Sequence, residues 1–450
     1  PAYHDLLALG LSRGYAAGPW TGGSHVTHAG QVYLHAQVEP GTCCPMTMTY
    51  AAVPALAAAP ALSDIWRPKL TAPDHDPAIA TVGSKRAATM GMAMTEKQGG
   101  SDVRANTTRA EADGAGWRLT GHKWFCSAPM SDGFLTLAQT DAGLSCFLVP
   151  RWLPDGTRNA VHLMRLKDKL GNRANASAEI EYHGARADML GEAGRGVPTI
   201  IEMVHHTRLD TAMAPAGLMR AALDHLNHWV GHRTAFQRRL IDQPLMRVML
   251  ADLVLDWEGA TALGLHVARA FDGDGPEARG LARIGVALAK FLNNKLAPRV
   301  ISEAMEGLGG MGYVEDTPLP MLYREAPLNG IWEGSGNVIC LDILRTLARD
   351  AAARAALMAE FDAATGADRR YDAALAEHAA RWPVPPEEGE ARHFAERLAL
   401  LLTASVLIRR APAPVAEAFT ATRLRPGRGQ VAGSLAGLDP APLLDRLGEA

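Results

Sequence analysis

The hydrophobic pattern of this chain changes its period twice, and the two changes limit the folds it can adopt. From residue 3 to about 61 apolar residues recur at helical spacing, with breaks at Gly18-Pro19 and Pro40-Gly41. Between residues 91 and 186 short apolar or alternating runs are separated by Gly, Asp and Pro, which is typical of strands. After Gly194 the helical spacing returns and continues. This order predicts a mainly α protein with a small antiparallel β-barrel or sandwich in its middle.

The second helical region predicts long helices with antiparallel neighbours. Helical patterns cover about 198–229 and 277–306, and a buried stripe of one further helix is formed by Leu250, Leu253, Trp257, Ala260, Gly264 and Val267. Such lengths with short links are typical of a helical bundle. We expect a shorter helix after Asn337 as N-cap, with one apolar face formed by Val338, Leu341, Leu344 and Leu347.

Four parts follow from these changes. They are an N-terminal helical region at 1–83, a β-barrel domain at 84–190, a helical bundle at 191–350 and a C-terminal helical domain at 351–450. The chain starts at Pro1 without a methionine, so we expect the first part to be truncated.

Bulk composition excludes some classes of function and leaves others open. With 450 residues and a net charge of −3, the chain has no overall field that would attract nucleic acid or membrane, so such a partner needs a local patch. No apolar run approaches the roughly 18 to 20 residues of a membrane span. The cysteines have no Cys-x-x-Cys spacing for zinc, and we expect no metal; they stand at Cys43, Cys44, Cys126, Cys146 and Cys340. They predict reduced, buried thiols in a cytoplasmic protein.

The stretch at 92–105, MAMTEKQGGSDVRA, is the strongest candidate for a binding loop. Its two glycines let the backbone bend tightly, and Thr95 and Ser101 offer hydroxyls and amides to a polar, anionic ligand. A plain Gly-Gly turn capped by Asp102 is the alternative. The string resembles the first signature of the acyl-CoA dehydrogenase family, where it holds the flavin ring and pyrophosphate of FAD.

Further segments are similar to the same family over roughly residues 40 to 350. GHKWFCS at 121–127 resembles the strand whose aromatic residue and hydroxyl lie against the flavin, and EGLGGMGY at 306–313 resembles a second signature. HRTAF at 232–236 resembles the segment that touches the FAD of a partner subunit, with Gln237 where the family has Gly. The motif Gly-x-Gly-x-x-Gly at 307–312 follows a helix and not a strand, so a Rossmann site is rejected.

The resemblance implies FAD as cofactor, bound where subunits of a homodimer or homotetramer meet. The cofactor-binding residues that it implies are Met94, Thr95, Gly100, Ser101, Phe125, Cys126, Ser127, Arg233, Phe236, Gly309, Gly310, Asn329, Trp332, Gly334, Ser335 and Asn337. We expect Thr95, Ser127 and Glu333 to face one cleft.

The loop IWEGSGN at 331–337 resembles the family segment that carries the catalytic base. By this match Glu333 removes the α-proton of an acyl thioester, and Arg208 takes the place of an active-site arginine. The alternative is that Glu333 is a first-turn acid favoured by the helix dipole.

The details of these motifs, together with the extra C-terminal segment, look most like the AidB-type branch of the family. That branch is linked to the bacterial response to DNA alkylation and binds FAD and double-stranded DNA, with at most weak dehydrogenation of isovaleryl-type acyl-CoA. The predicted DNA contacts are Arg392, Arg397, Arg409, Arg410, Arg423, Arg425 and Arg428. An ordinary short- or branched-chain acyl-CoA dehydrogenase with no DNA role is the alternative, and there the same arginines form a solvated helix face.

Overall fold

The computed structural model describes residues 2–426, 429, 431–434 and 437–448. The chain forms two compact units, one of residues 1–35 with 39–210 and one of residues 36–38 with 211–450. The structure is mainly helical, and its main sheet lies within residues 90–190, as the sequence predicts.

The first unit begins with short helices. They are α1 (Ala2–Ser12), α2 (His25–Val38), α3 (Pro40–Leu56) and α4 (Pro60–Leu70). Prolines open α3 and α4, where a missing amide hydrogen costs no hydrogen bond. Ser24 caps α2 by accepting from the amide of Thr27. The predicted breaks at Gly18-Pro19 and Pro40-Gly41 are therefore confirmed.

The strands of the first unit close into a small barrel. They are β1 (Met90–Ala93), β2 (Arg109–Asp113), β3 (Gly116–Ser127), β4 (Gly133–Thr140), β5 (Gly143–Pro150), β6 (Val161–Leu166) and β7 (Ser177–Leu190). The order is β1-β4-β2-β3-β7-β5, and a further β4–β5 pairing closes the ring. Its core is formed by side chains such as Leu119, Phe134, Phe147, Ile180 and Tyr182. The prediction of purely antiparallel strands was wrong in part, because β4 pairs in parallel with β1 and β2.

The long helices come next, close to their predicted positions. They are α5 (Gly196–His232), α6 (Pro244–Phe271), α7 (Pro276–Gly307), α8 (Leu319–Glu325) and α9 (Gly336–Arg349). The predicted stripe of α6 is buried along its whole length. A small hairpin of β8 (Thr234–Ala235) and β9 (Arg238–Arg239), which the sequence did not predict, joins α5 to α6.

Two predictions for α9 were wrong. The N-cap is Ser335 and not Asn337, which lies in the first turn. The buried face includes Ile339 and Ile343, whereas Leu341 and Leu344 of the predicted face are half-buried. The buried side also carries Asp342, which forms an ion pair with Arg283 of α7 at 2.6 Å. Because apolar residues occur on both faces of α9, the spacing of its hydrophobic residues alone could not indicate which face is buried.

The C-terminal segment is helical, as predicted, and packs within the second unit. Its helices are α10 (Ala351–Asp362), α11 (Arg369–Arg381), α12 (Ala391–Arg410), α13 (Ala413–Arg423) and α14 (Ala441–Leu444). A Cβ atom at Gly280 of α7 would lie 2.6 Å from the carbonyl oxygen of Ala352, so α7 and α10 are in close contact. In the sequence, the helical spacing of this segment is also interrupted at Gly427, a position outside the described residues.

Two chemical features of the chain bear on its class. In the part of the chain that the structure describes, no helix is long and apolar enough to cross a membrane. All five cysteines belong to that part, and each is buried and outside any disulfide bond.

Candidate functional site

The predicted site residues are divided between the two units. The first unit contains Met94, Thr95, Gly100, Ser101, Phe125, Cys126, Ser127 and Arg208. The second contains Arg233, Phe236, Gly309, Gly310, Asn329, Trp332, Glu333, Gly334, Ser335 and Asn337. That Thr95, Ser127 and Glu333 face one cleft therefore stays a prediction.

Glu96 fixes the loop that follows β1 to the barrel. Its carboxylate accepts from the Lys123 ammonium at 2.7 Å and from the hydroxyl of Thr108 at 2.6 Å. The Glu96 and Lys123 side chains are fully buried. Burial raises the pKa of Glu96, but Lys123 and the hydrogen bonds from Thr107 and Thr108 outweigh burial and lower the pKa to about 2. The carboxylate therefore stays ionised and holds the loop against β3.

The loop places Thr95 and Gly100 together at its turn. The carbonyl of Thr95 accepts from the Trp124 amide at 2.8 Å, and that of Met94 accepts from the Asn106 side chain at 2.9 Å. A Cβ atom at Gly100 would lie 2.9 Å from the Thr95 hydroxyl oxygen, so a side chain there would crowd this hydroxyl. The Thr95 side chain is half-buried, and Ser101 is exposed.

Neighbouring residues at the end of β3 have very different surroundings. Phe125 is 45 % exposed, and the Lys167 ammonium lies 4.7 Å from its ring centroid. Ser127 is half-buried, with its hydroxyl 3.4 Å from that of Ser177. Cys126 is fully buried in the barrel core, which raises the pKa of its thiol to about 12. Because successive side chains of a strand point to opposite faces, the Cys126 side chain faces the barrel core, and the place of Cys126 among the cofactor-binding residues stays a prediction.

Arg208 lies in the buried part of α5, beside a network that the sequence analysis missed. His28 and Asp210 are joined at 2.6 Å, and Thr47 donates to the same carboxylate at 2.5 Å. Burial lowers the pKa of nearby His206 to about 4. Arg208 itself is 7 % exposed. A useful signal was the cluster of His205, His206, Arg208 and Asp210 in α5, immediately before its mainly apolar stretch at 212–219.

Glu333 lies in a tight loop before α9 with an unusual backbone. Its φ is +56°, in the left-handed region that side chains other than glycine rarely adopt, and Gly334 follows at +95°. The Lys290 ammonium of α7 donates to the carbonyls of Asn329 at 2.9 Å and Gly334 at 2.8 Å. The Trp332 indole donates to the Asn329 side chain at 2.8 Å. These bonds stabilise the strained position of Glu333.

The position of Glu333 relative to α9 excludes one of the two interpretations given to this residue. A first-turn acid would lie inside α9, but the helix starts at Gly336, after the loop. The first-turn interpretation was therefore wrong. The sequence analysis missed Lys290, although a lysine inside the apolar run VALAKFL is a signal of a buried, paired charge.

The hairpin between α5 and α6 carries Arg233 and Phe236. Phe236 and Gln237 form its two-residue turn, with φ values of +52° and +64°. Phe236 is 92 % exposed, and Arg233 is exposed as well. Gln237 thus takes a conformation that a glycine would adopt more readily.

The glycine-rich stretch after α7 forms a short 3-10 helix at Gly309–Tyr313. A Cβ atom at Gly312 would lie 2.0 Å from the Met305 carbonyl oxygen, so only glycine fits there. Gly309 and Gly310 are exposed. The motif follows a helix, which confirms that it is not a Rossmann loop.

Some of the arginines predicted to contact DNA have structural partners. Arg423 is 4 % exposed and binds Asp252 at 2.6 Å and Asp256 at 2.7 Å. A buried, doubly paired guanidinium cannot reach a phosphate, so this prediction was wrong. Arg409 is half-buried and forms an ion pair with Glu360.

The remaining arginines of the set are more accessible. Arg410 and Arg425 are exposed. Arg397 is half-buried, and a carboxylate oxygen of Glu377 lies 3.9 Å from its guanidinium. Arg392 is exposed and donates to the Asn337 side chain at 2.8 Å. Arg428 lies outside the described residues.

Comparison with known proteins identifies the family. The chain matches the acyl-CoA dehydrogenase C-terminal domain at residues 194–348, the acyl-CoA dehydrogenase middle domain at 91–185 and the N-terminal domain of adaptive response protein AidB at 1–77. It is 46% identical over 429 residues to the putative acyl-CoA dehydrogenase AidB of Escherichia coli K12, with 93% of this chain and 79% of that protein covered.

A relative and a solved structure from Caenorhabditis elegans are also similar to this chain. Acyl-CoA dehydrogenase family member 11 is 35% identical, with 67% of this chain and 51% of that protein covered. The solved structure of ACDH-11 in complex with C11-CoA has a TM-score of 0.82 at 27% identity, with 99% of this chain and 78% of that chain covered. The chain therefore belongs to the acyl-CoA dehydrogenase family, whose members are FAD-dependent flavoproteins, and its N-terminal domain is of the AidB type.

Proposed function

We propose that this chain oxidises an acyl-CoA thioester between its α- and β-carbons, with Glu333 as the base. The observation that carries the proposal is the strained backbone of Glu333 in a loop held by Lys290 and by the Trp332–Asn329 bond. Strain of this kind costs on the order of 1–3 kcal/mol and concentrates at functional positions.

The residues present fit FAD within each unit. In the first unit, the half-exposed ring of Phe125 offers a flat face, and the Thr95 and Ser101 side chains offer hydroxyls. In the second unit, exposed Arg233 offers a planar donor fork for a pyrophosphate, and the Gly309-Gly310 backbone is open to close approach. We propose that these residues, with Ser335 and Asn337, hold the cofactor.

The reaction requires a base that can remove a weakly acidic proton from the thioester. An α-proton of a thioester is removed efficiently only when the base is held in place and water is excluded. The loop bonds from Lys290 hold Glu333, whose carboxylate takes the α-proton. FAD, when bound, supplies the acceptor for the hydride that leaves the β-carbon. Arg208, buried in α5, is proposed as the second catalytic residue.

The proposal is tested by anaerobic bleaching of the flavin absorbance. C11-CoA and isovaleryl-CoA are added separately to the yellow protein, and the rate is followed at the flavin maximum. We expect bleaching by at least one thioester and a rate at least about a hundredfold lower in Glu333→Gln, since loss of a general base costs about 10²–10⁴-fold. Glu277→Gln removes an exposed carboxylate of α7 and is the control. Equal bleaching rates in the protein and in Glu333→Gln would contradict the role of Glu333.

A second function is binding of double-stranded DNA in the response to alkylation. It is supported by the resemblance to the AidB-type branch, by the similarity to Escherichia coli AidB and by the exposed arginines Arg410 and Arg425. Exposed arginines make phosphate contacts that do not depend on base sequence.

A titration with duplex DNA at several salt concentrations tests this function. We expect the logarithm of the binding constant to fall linearly with the logarithm of the salt concentration. The steepness of this fall should decrease by about 0.9 for each phosphate contact that Arg410→Ala or Arg425→Ala removes. Arg109→Ala, an exposed arginine of the barrel, is the control. Bleaching by isovaleryl-CoA without DNA binding would instead support an ordinary short- or branched-chain acyl-CoA dehydrogenase.

Compartment and assembly complete the proposal. Five free thiols fit a reducing compartment, and we propose the cytoplasm. Family members are oligomeric, and we propose a homodimer or homotetramer with FAD at the subunit interface. Light scattering on the flavin-loaded protein measures the mass, and a monomer would contradict this assembly.

A further inference from the structure

We propose that Arg392, in the C-terminal segment, is a positioning residue of the flavin site and acts through Asn337. The contact joins α12 to the first turn of α9, immediately after the loop that carries Glu333. Nη1 of Arg392 donates to Oδ1 of Asn337 at 2.8 Å. This inference rests on the proposed role of Asn337 in cofactor binding and does not depend on Glu333 being the base.

Arg392 is packed against its surroundings, although its side chain is exposed. Its guanidinium lies 5.6 Å from the centroid of the buried Phe291 ring. Nη1 also lies 3.4 Å from where a Cβ atom of Gly336 would stand, beside the end of Lys295 at 3.3 Å. The guanidinium is therefore fixed by an aromatic face and by the start of α9, unlike a side chain that moves freely in solvent.

The guanidinium of Arg392 determines how the side-chain amide of Asn337 is oriented. A guanidinium can only donate, so it fixes the carbonyl oxygen of the Asn337 amide on its own side. The amide nitrogen of Asn337, a donor, then points away from Arg392 and is presented to an acceptor on another side. Without Arg392 the amide can rotate, and a ligand has to order it on binding, which lowers affinity.

The same contact ties the Glu333 loop to a segment outside the part matched to the acyl-CoA dehydrogenase domains, since that match ends at residue 348. Lys290 holds the loop from α7, and Arg392 holds its C-terminal end from α12. The C-terminal segment thus contributes to the geometry of the flavin site besides any role with DNA.

The test measures release of FAD from the flavin-loaded protein after dilution, followed by the rise in flavin fluorescence. The variants are Arg392→Ala, Asn337→Ala and the double variant. We expect about a two- to tenfold faster release in Arg392→Ala, which corresponds to about 0.5–1.4 kcal/mol for ordering the freed amide on binding, and a release at least as fast in Asn337→Ala, which removes the amide itself. Because Arg392 acts through Asn337, we expect the double variant to release FAD at the rate of Asn337→Ala alone.

Controls separate this proposal from a general loss of stability. Arg369→Ala removes an exposed arginine of the same segment and should release FAD at the original rate. Arg392→Lys keeps the charge and part of the donor capacity, so we expect partial rescue. Release from Arg392→Ala at the original rate, or single effects that multiply in the double variant, would overturn the proposal. Since FAD release needs no substrate, these results do not depend on the outcome of the acyl-CoA assay.

Discussion

At the scale of single residues, the Glu96–Lys123 pair decides whether the loop at 94–108 keeps its shape. Lys123→Met would leave the buried carboxylate of Glu96 without its counter-ion. Breaking a buried pair from one side costs about 3–5 kcal/mol of unfolding free energy. We expect a loss of this size in urea denaturation, whereas Lys97→Met, at an exposed neighbouring lysine, should change stability by less than about 0.5 kcal/mol.

The same pair predicts how stability depends on pH. The pKa of Glu96 is about 2 in the folded protein, against an ordinary value of 4.5, which we take for the unfolded chain. Between these two values the unfolded chain binds a proton that the folded chain does not. The contribution of Glu96 is therefore fully present above pH 4.5 and is lost as pH falls to about 2. The unfolding free energy from urea denaturation should be lower at pH 3 than at pH 5, and this decrease should be smaller in Lys123→Met. An equal decrease in both proteins would contradict the assignment of the pH dependence to Glu96.

The sequence indicates which residues are candidates for the site, but it indicates much less about the surroundings of each side chain. Glu333 was found from its motif, but its left-handed backbone is held by Lys290 of α7, which is distant in sequence, as well as by the bond from Trp332 to Asn329 within the same loop. Cys126 and Arg423 match their patterns by position, yet both side chains are buried. Which face a side chain occupies depends on tertiary packing, and a local pattern does not contain that information.

At the scale of secondary-structure elements, the spacing of hydrophobic residues predicted the helices well because their buried stripes are long. The α6 stripe extends over several turns, so errors at single positions do not alter the pattern. The hairpin of β8 and β9 has only two residues in each strand, which is too short for any alternation to be recognised. Parallel pairing of β4 with β1 and β2 depends on contacts distant in sequence, which a local pattern cannot show.

The hairpin turn gives a prediction at this scale. Gln237 has a φ of +64°, where glycine is favoured by about 0.5–1 kcal/mol over other residues. Gln237→Gly should therefore stabilise the hairpin, and Gln237→Val should destabilise it. The measurement is amide hydrogen exchange at Leu240, which donates to the Arg233 carbonyl at 2.9 Å. Slower exchange in the glycine variant is expected, and faster exchange would show that the turn is not strained.

At the scale of the whole molecule, Arg423 shows how the C-terminal segment is held within its unit. Its two partners lie on α6, and the Gly433 amide also donates to Asp252 at 2.9 Å. Arg423→Met would remove the guanidinium that both buried aspartates share, although Asp256 keeps its ion pair with Arg299, and should lower the unfolding free energy by about 3–5 kcal/mol. Arg425→Met, two residues further at an exposed position, should leave it within about 0.5 kcal/mol. Similar thermal denaturation of the two variants would show that Arg423 does not anchor the segment.

Deleting residues after 350 is the obvious way to test whether the C-terminal segment binds DNA, but the packing predicts a different outcome. α12 lies against α6, where a Cβ atom at Gly259 would meet Thr403 at 3.1 Å and Phe419 of α13 at 2.9 Å. Without the segment, the apolar side chains of α6 and α7 that it covers would face water, at about 25 cal/mol per Å². We therefore expect the truncated chain to aggregate or to melt at a much lower temperature than the full chain in thermal denaturation. Loss of DNA binding in such a chain would carry no information, whereas a truncated chain that stays folded would show that the rest of the chain does not need the C-terminal segment for its stability.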